Sequence, residues 1–190
     1  QGPSTAGRTL YRGSTGGAGA GGAITVSLVN SQVSASGAGS AGILAQSTGQ
    51  STGTIQITVD ANSSVTGGQP DANPAGQDRT QRDAAAIRVL GGTGNTIANA
   101  GRITALNGNG AGGYAILGDS SRTTVANAGT ITGGTGYALR VTGAPATIVN
   151  AGDINGRLLL TAGNDRLTNG GRWTLTGTSD FGAGADTLTN

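Results

Sequence analysis

The chain has 190 residues, with 38 glycines, one tryptophan, one phenylalanine, no cysteine, histidine or methionine, and a formal net charge of +2. Leucine, isoleucine, valine and phenylalanine fill only 34 positions, which excludes a wide aromatic core, while the near-neutral charge argues against a chain held open by self-repulsion. Without histidine, cysteine or glutamate, a Ser-His-Asp triad, a cysteine nucleophile and a histidine-ligated zinc site are excluded within this sequence.

The charged residues narrow the choice further. Every basic residue is arginine and every acidic one aspartate, so the strong helix formers lysine, glutamate and methionine are all missing. The sequence pI is near 9.7, yet the eleven arginines are scattered singly. No basic run or aromatic-interleaved patch forms, and a nucleic-acid partner is not expected. No apolar run approaches the ~20 residues of a membrane span, so no membrane contact is expected either. The absence of cysteine suits a secreted chain and a cytosolic one equally. The chain opens on Gln1-Gly2-Pro3-Ser4 and stops in mid-motif, as expected of a fragment of a longer protein.

Residues 1–22 are glycine-rich without a repeat and read as a linker or an N-terminal cap. Patterned sequence starts at residue 23. Ile24, Val26 and Leu28 alternate with polar residues and are followed by Asn30 and Val33; Ile55, Ile57 and Val59 do the same before Asn62 and Val65. A period of two marks short strands with one face inward. A polar insert, 67–83, follows, with Pro70, Pro74 and the charged residues Asp71, Asp78, Arg79, Arg82 and Asp83. These five are the candidate binding loop, because recognition is commonly carried by loops held on a rigid scaffold. In Ala86-Ile87-Arg88-Val89 the aliphatic pair faces inward and Arg88 faces solvent.

From Thr96 onward a repeat is plain. Thr96-Ile97-Ala98-Asn99-Ala100-Gly101-Arg102-Ile103-Thr104 is followed by Thr124-Val125-Ala126-Asn127-Ala128-Gly129-Thr130-Ile131-Thr132. Thr147 to Asn155 and Arg166 to Thr174 repeat it, and Thr187-Leu188-Thr189-Asn190 begins it again. Successive asparagines are 28, 23, 19 and 21 residues apart. Between copies lie second strands at Tyr114–Leu117, Tyr137–Val141 and Leu158–Leu160; Leu139 and Val141 flank an outward Arg140. The run Gly108-x-Gly110-x-x-Gly113 lacks the strand before it and the helix after it that a dinucleotide fingerprint needs, and reads as a turn.

A unit of this length cannot bury three aliphatic side chains alone, but stacked units can. Stacking sets Ile97, Val125, Ile148, Leu167 and Leu188 in one apolar column. Asn99, Asn127, Asn150, Asn169 and Asn190 fall in a second, where amides can bond to those above and below. Gly101, Gly129, Gly152 and Gly171 come two residues later, where a turn with positive φ is expected. The expected fold is all-β: a right-handed parallel β-helix (solenoid) over 23–190, of about seven irregular coils of roughly 19–28 residues. At ~4.8 Å per coil the rod is on the order of 30 Å long.

At these Asn-Ala-Gly-x-Ile-Thr repeats the chain resembles the Asn-x-Gly-x-Ile-rich parallel β-helical passengers of bacterial autotransporters, the type V secretion pathway. The resemblance covers 23–190, and the motifs are sharpest from Asn95 onward. It implies export across the outer membrane by a C-terminal β-barrel, and a rod displayed at the bacterial cell surface or secreted. Such a rod would serve as an adhesin, in aggregation or in display. Its partners would be a host or neighbouring cell surface, or other copies associating end to end or laterally. The alternatives are a self-stacking subunit of an extracellular filament and a polysaccharide-active β-helix enzyme.

Chemistry is sparse. Glycoside hydrolysis needs paired carboxylates, and no Asp-Asp pair occurs, so no catalytic residues, no enzyme activity and no cofactor are expected. Gly163-Asn164-Asp165-Arg166-Leu167 and Gly184-Ala185-Asp186-Thr187-Leu188 resemble half of a calcium-binding nonapeptide. Asp165 and Asp186 stand 21 residues apart rather than nine, which fits turn-capping aspartates and no metal. A threonine column (Thr96, Thr124, Thr147, Thr187) is interrupted by Arg166, and unequal coils would disturb the flat face that ice binding requires.

Overall fold

The structure, a computed structural model, describes residues 19–37, 39–68, 84–106, 113–119, 121–160 and 163–190. Asp71, Asp78, Arg79, Arg82 and Asp83 of the candidate loop lie outside them, as do residues 1–18, Gly108 and Gly110. Among the described residues the chain forms sixteen strands and no helix. Alternating β-branched residues favour strands, and the glycines, asparagines and aspartates between them favour turns.

The first coil contains β1 (Ile24–Leu28), β2 (Gln32–Ser34) and β3 (Ile43–Ser47); the second contains β4 (Ile55–Val59), β5 (Ser64–Gly67) and β6 (Ala85–Gly91). The third has β7 (Asn95–Asn99), β8 (Arg102–Ala105) and β9 (Tyr114–Asp119). The fourth is β10 (Thr123–Asn127) and β11 (Thr130–Thr142), and the fifth β12 (Ala146–Asn150) and β13 (Asp153–Leu160). The sixth holds β14 (Arg166–Asn169) and β15 (Arg172–Thr174), and β16 (Thr187–Thr189) starts a seventh.

Each strand pairs in parallel with its counterpart one coil away, which a crossover of one coil permits. One sheet runs β1-β4-β7-β10-β12-β14-β16. The other has two branches, β2-β5-β8 and β3-β6-β9, which meet in β11. β11 pairs with β8 through Thr130–Thr132 and with β9 through Leu139–Thr142. β13 extends both halves and passes one of them on to β15. Each of the first five coils therefore presents three walls. The chain is a parallel β-solenoid.

The core is a set of columns along the axis. Ile57, Ile97, Val125, Ile148 and Leu167 stack in the first wall, each no more than 1% exposed. Leu188 continues the register but is 55% exposed. The second wall stacks Val65, Ile103, Ile131, Ile154 and Trp173, and the third stacks Ile87, Ile116, Leu139 and Leu158. A chain with few large apolar residues thus keeps a buried apolar interior, because each shields the one above and the one below.

Two expectations need correction. Ile24 pairs with Ile55, 31 residues on, and Ile57 with Ile97, 40 on, so the first two coils exceed the expected 28. The extra residues sit in connections outside the first sheet, which keeps its register. The asparagines of the weak copies, Asn30 and Asn62, are exposed turn residues. Leu28 and Val59 occupy the strand position that Asn99 holds in the third coil. Finally, Arg88 and Arg140 point outward but are not free in solvent. The Arg88 side chain is only 14% exposed and pairs with Asp119 at 3.2 Å. The Arg140 guanidinium lies 5.4 Å from the centre of the Tyr114 ring. Tyr114 and Tyr137 stack at 6.2 Å and, with Ala85 and Leu117, form a small apolar cluster outside the third wall. These partners come from neighbouring coils, where single-coil periodicity cannot find them.

Candidate functional site

The expected asparagine column is assembled. Asn99 Nδ2 donates to Asn127 Oδ1 at 2.8 Å, Asn127 to Asn150 at 2.7 Å, Asn150 to Asn169 at 2.7 Å and Asn169 to Asn190 at 2.5 Å. The same amides also reach backbone oxygens: Gly101, Gly129, Gly152 and Gly171 two residues on, and Thr130, Asp153 and Arg172 in the next coil. Every amide points the same way along the rod. A network that satisfies its buried members holds one register against all others. It starts at Asn99, whose buried Oδ1 has no partner because Val59 stands below it.

The four glycines after the asparagines are required for a different reason from the expected one. None of them takes a positive φ. A Cβ on Gly129 would instead run into the backbone carbonyls of Gly101 and Ala100 one coil below. Gly152 faces Gly129 and Ala128 in the same way, Gly171 faces Gly152 and Ala151, and Gly101 faces Ser63 and Asp60. The amides of Gly129, Gly152 and Gly171 donate to the carbonyls of Asn99, Asn127 and Asn150 at 3.0–3.1 Å. Close stacking of the turns, not turn handedness, excludes a side chain here.

Asp165 and Asp186 cap the start of the first wall. Asp165 Oδ1 accepts the Ala146 N–H at 2.6 Å, and Asp186 Oδ1 accepts the Asp165 N–H at 2.9 Å. Asn95, which sequence reasoning passed over, does the same for Ile55 N–H at 3.3 Å and donates to Gly91 O and Ser121 Oγ. Its signal was its place, one residue before the Thr-aliphatic pair, as for Asp186 before Thr187-Leu188. Among the described residues no three metal-ligating carboxylates, histidines or cysteines converge.

Asp165 is 1% exposed, and its Oδ2 has no partner. Burial pushes its carboxyl above the ordinary 3.8; the Ala146 N–H opposes this, and the charge of Asp186 adds to it. A raised folded-state value means the folded chain holds this proton more tightly than the unfolded one. The resulting stability is full below pH 3.8 and is lost as pH rises through the folded value. Asp165→Asn keeps the acceptor for Ala146 and removes the buried charge. It is expected to add about 1 kcal/mol at neutral pH and to flatten this part of the stability–pH curve, measured by urea unfolding between pH 3 and 8.

Of the remaining carboxylates, Asp119 pairs with Arg88 and accepts from Thr142 Oγ1 at 3.1 Å, and Asp153 pairs with Arg172 at 2.9 Å. Asp60 caps a turn, and Asp180 accepts the Gly182 N–H. The outer face of the first sheet carries Thr96, Thr124, Thr147, Arg166 and Thr187 in strict register. Unequal coil lengths therefore leave the register of this face undisturbed; Gln56 and Arg166 interrupt the threonines. At the corner between the first and second walls lies an open polar groove of about 500 Å³, lined by Gln32, Asn62, Ser64, Arg102 and Thr130. Gly101 and Gly129 also line it. No protein-family model, curated protein or solved structure matches the chain.

Proposed function

We propose that this chain is part of an extracellular passenger of an autotransporter-like protein, a rod that presents its outer walls at the bacterial surface for adhesion, aggregation or display. It acts as a scaffold rather than an enzyme. The observation that carries the reading is the asparagine ladder: the Asn-x-Gly-x-Ile repeat is spent on holding coils in register, with Asn99, Asn127, Asn150 and Asn169 all facing inward. The outer walls carry threonines, ion pairs, the Tyr114–Tyr137 cluster and exposed aliphatics such as Leu44 and Val149, a surface able to meet a partner through many weak contacts. Antibodies raised against residues 19–190 should label intact cells that make the protein, and external protease should remove the label. Deleting the region should lower attachment to cells or to neighbouring bacteria. Labelling seen only after permeabilisation would defeat the reading.

A second reading, end-to-end association into filaments, is supported by β1 and β16, each of which has one hydrogen-bonding edge unpaired among the described residues. Concentration-dependent fibres in electron micrographs would favour it over the first.

A further inference from the structure

We propose that Asn62 is an acceptor for N-linked glycosylation. Asn62-Ser63-Ser64 is the only place in the 190 residues where an asparagine is followed, two positions on and without an intervening proline, by serine or threonine.

The structure separates Asn62 from the other asparagines. Asn99, Asn127, Asn150 and Asn169 are buried, and their amides are committed to the ladder. Asn164 is exposed, but its Oδ1 accepts the Ala185 N–H and Asp165-Arg166 follows it. Asn30 is exposed but is followed by Ser31-Gln32. Asn62 is exposed at the tip of the turn between β4 and β5 and forms the lip of the polar groove. Only its backbone N–H is bonded, to Asp60 Oδ1 at 3.1 Å; its side-chain amide makes no hydrogen bond. A sugar on Nδ2 would therefore displace no contact of the fold.

The rest of the motif is held once the chain folds. Ser63 donates its N–H to Asp60 O at 3.1 Å, the Ser63 hydroxyl accepts the Ser31 N–H at 3.0 Å, and Ser64 starts β5 with its N–H on Ser31 O at 2.9 Å. Transfer thus takes place on the unfolded chain, and folding then presents the glycan at the corner of the rod. In the transfer, Asn62 Nδ2 bonds to the anomeric carbon of a sugar carried on a diphosphate. The bond from that carbon to the phosphate oxygen breaks, the diphosphate leaves with the electron pair, and one amide proton passes to a base. The donor is either a lipid-linked or a nucleotide-linked sugar diphosphate.

The inference rests on the export reading, and the test keeps the two apart. Protein recovered from surface and cytoplasmic fractions of the cells that make it is analysed by intact mass and peptide mapping. A glycan is expected on Asn62: an oligosaccharide points to a lipid-linked donor, a single hexose to a nucleotide-linked one. Asn62→Gln and Ser64→Ala should abolish it, Ser64→Thr should retain it, and the unfolding midpoint of Asn62→Gln should match that of the unmodified parent. Surface protein with bare Asn62 would overturn the acceptor and leave export standing. A glycan on protein confined to the cytoplasm would overturn export and leave the acceptor standing. Bare Asn62 in every fraction would overturn the acceptor.

Discussion

Asn127→Ala is expected to lower the unfolding free energy by about 3–4 kcal/mol, the sum of a lost buried hydrogen-bond partner and a cavity. Asn127 receives from Asn99 and donates to Asn150. Asn99 Nδ2 would still have Gly101 O and Thr130 O. Asn150 Oδ1 accepts only from Asn127 and would be left buried without a donor. Asn127→Leu refills the volume and removes only the bonds, as Val59 already does beneath Asn99. It should cost less than the alanine, about 1–3 kcal/mol. Urea unfolding of the two variants checks this, and a leucine variant as stable as the parent would mean that packing alone, not the ladder, holds the column.

Gly129→Ala should be as damaging, at about 3 kcal/mol or more, although it adds a single methyl group to a turn. Its Cβ would meet the carbonyls of Gly101 and Ala100, which belong to backbone and cannot rotate away. Relief requires the fourth coil to lift off the third, which stretches the bonds from Ala128 and Gly129 to Asn99 O. Gly170→Ala is the control. A Cβ there meets nothing closer than Asn150 O at 3.8 Å, and Ala100, Ala128 and Ala151 occupy the same place in the other coils. That change should stay within about 0.5 kcal/mol of the parent. Thermal and urea unfolding of the pair read the difference.

Much of this architecture was legible in the chain itself, and the limits have physical causes. The Asn-x-Gly-x-Ile spacing carried the columns from Asn99 to Asn190, because an inward polar residue at a fixed place in each coil can be satisfied only by its neighbours. Upstream, the weaker copies keep the aliphatic alternation, but Leu28 and Val59 fill the ladder position, and Asn30 and Asn62 belong to the turns beyond. The glycines were identified correctly but for the wrong reason: a glycine forced by φ and one forced by a neighbouring backbone look alike in a sequence. The bonds from Ile55 to Asn95, from Arg88 to Asp119 and from Arg140 to Tyr114 span 26 or more positions, beyond any local pattern.

The central claim is that coils of unequal length stack in one register, and disulfide trapping tests it most directly, since the chain has no cysteine of its own. Thr124 and Thr147 face each other across β10 and β12, whereas Val149 is two residues further along. Neighbouring strands lie about 4.8 Å apart, within reach of a disulfide. Thr124→Cys combined with Thr147→Cys should close a bond on mild oxidation, seen as a shift in non-reducing electrophoresis and confirmed by peptide mapping. Thr124→Cys combined with Val149→Cys should close far more slowly. The reverse order, or equal rates for both pairs, would contradict the register on which the ladder, the walls and the proposed rod all depend.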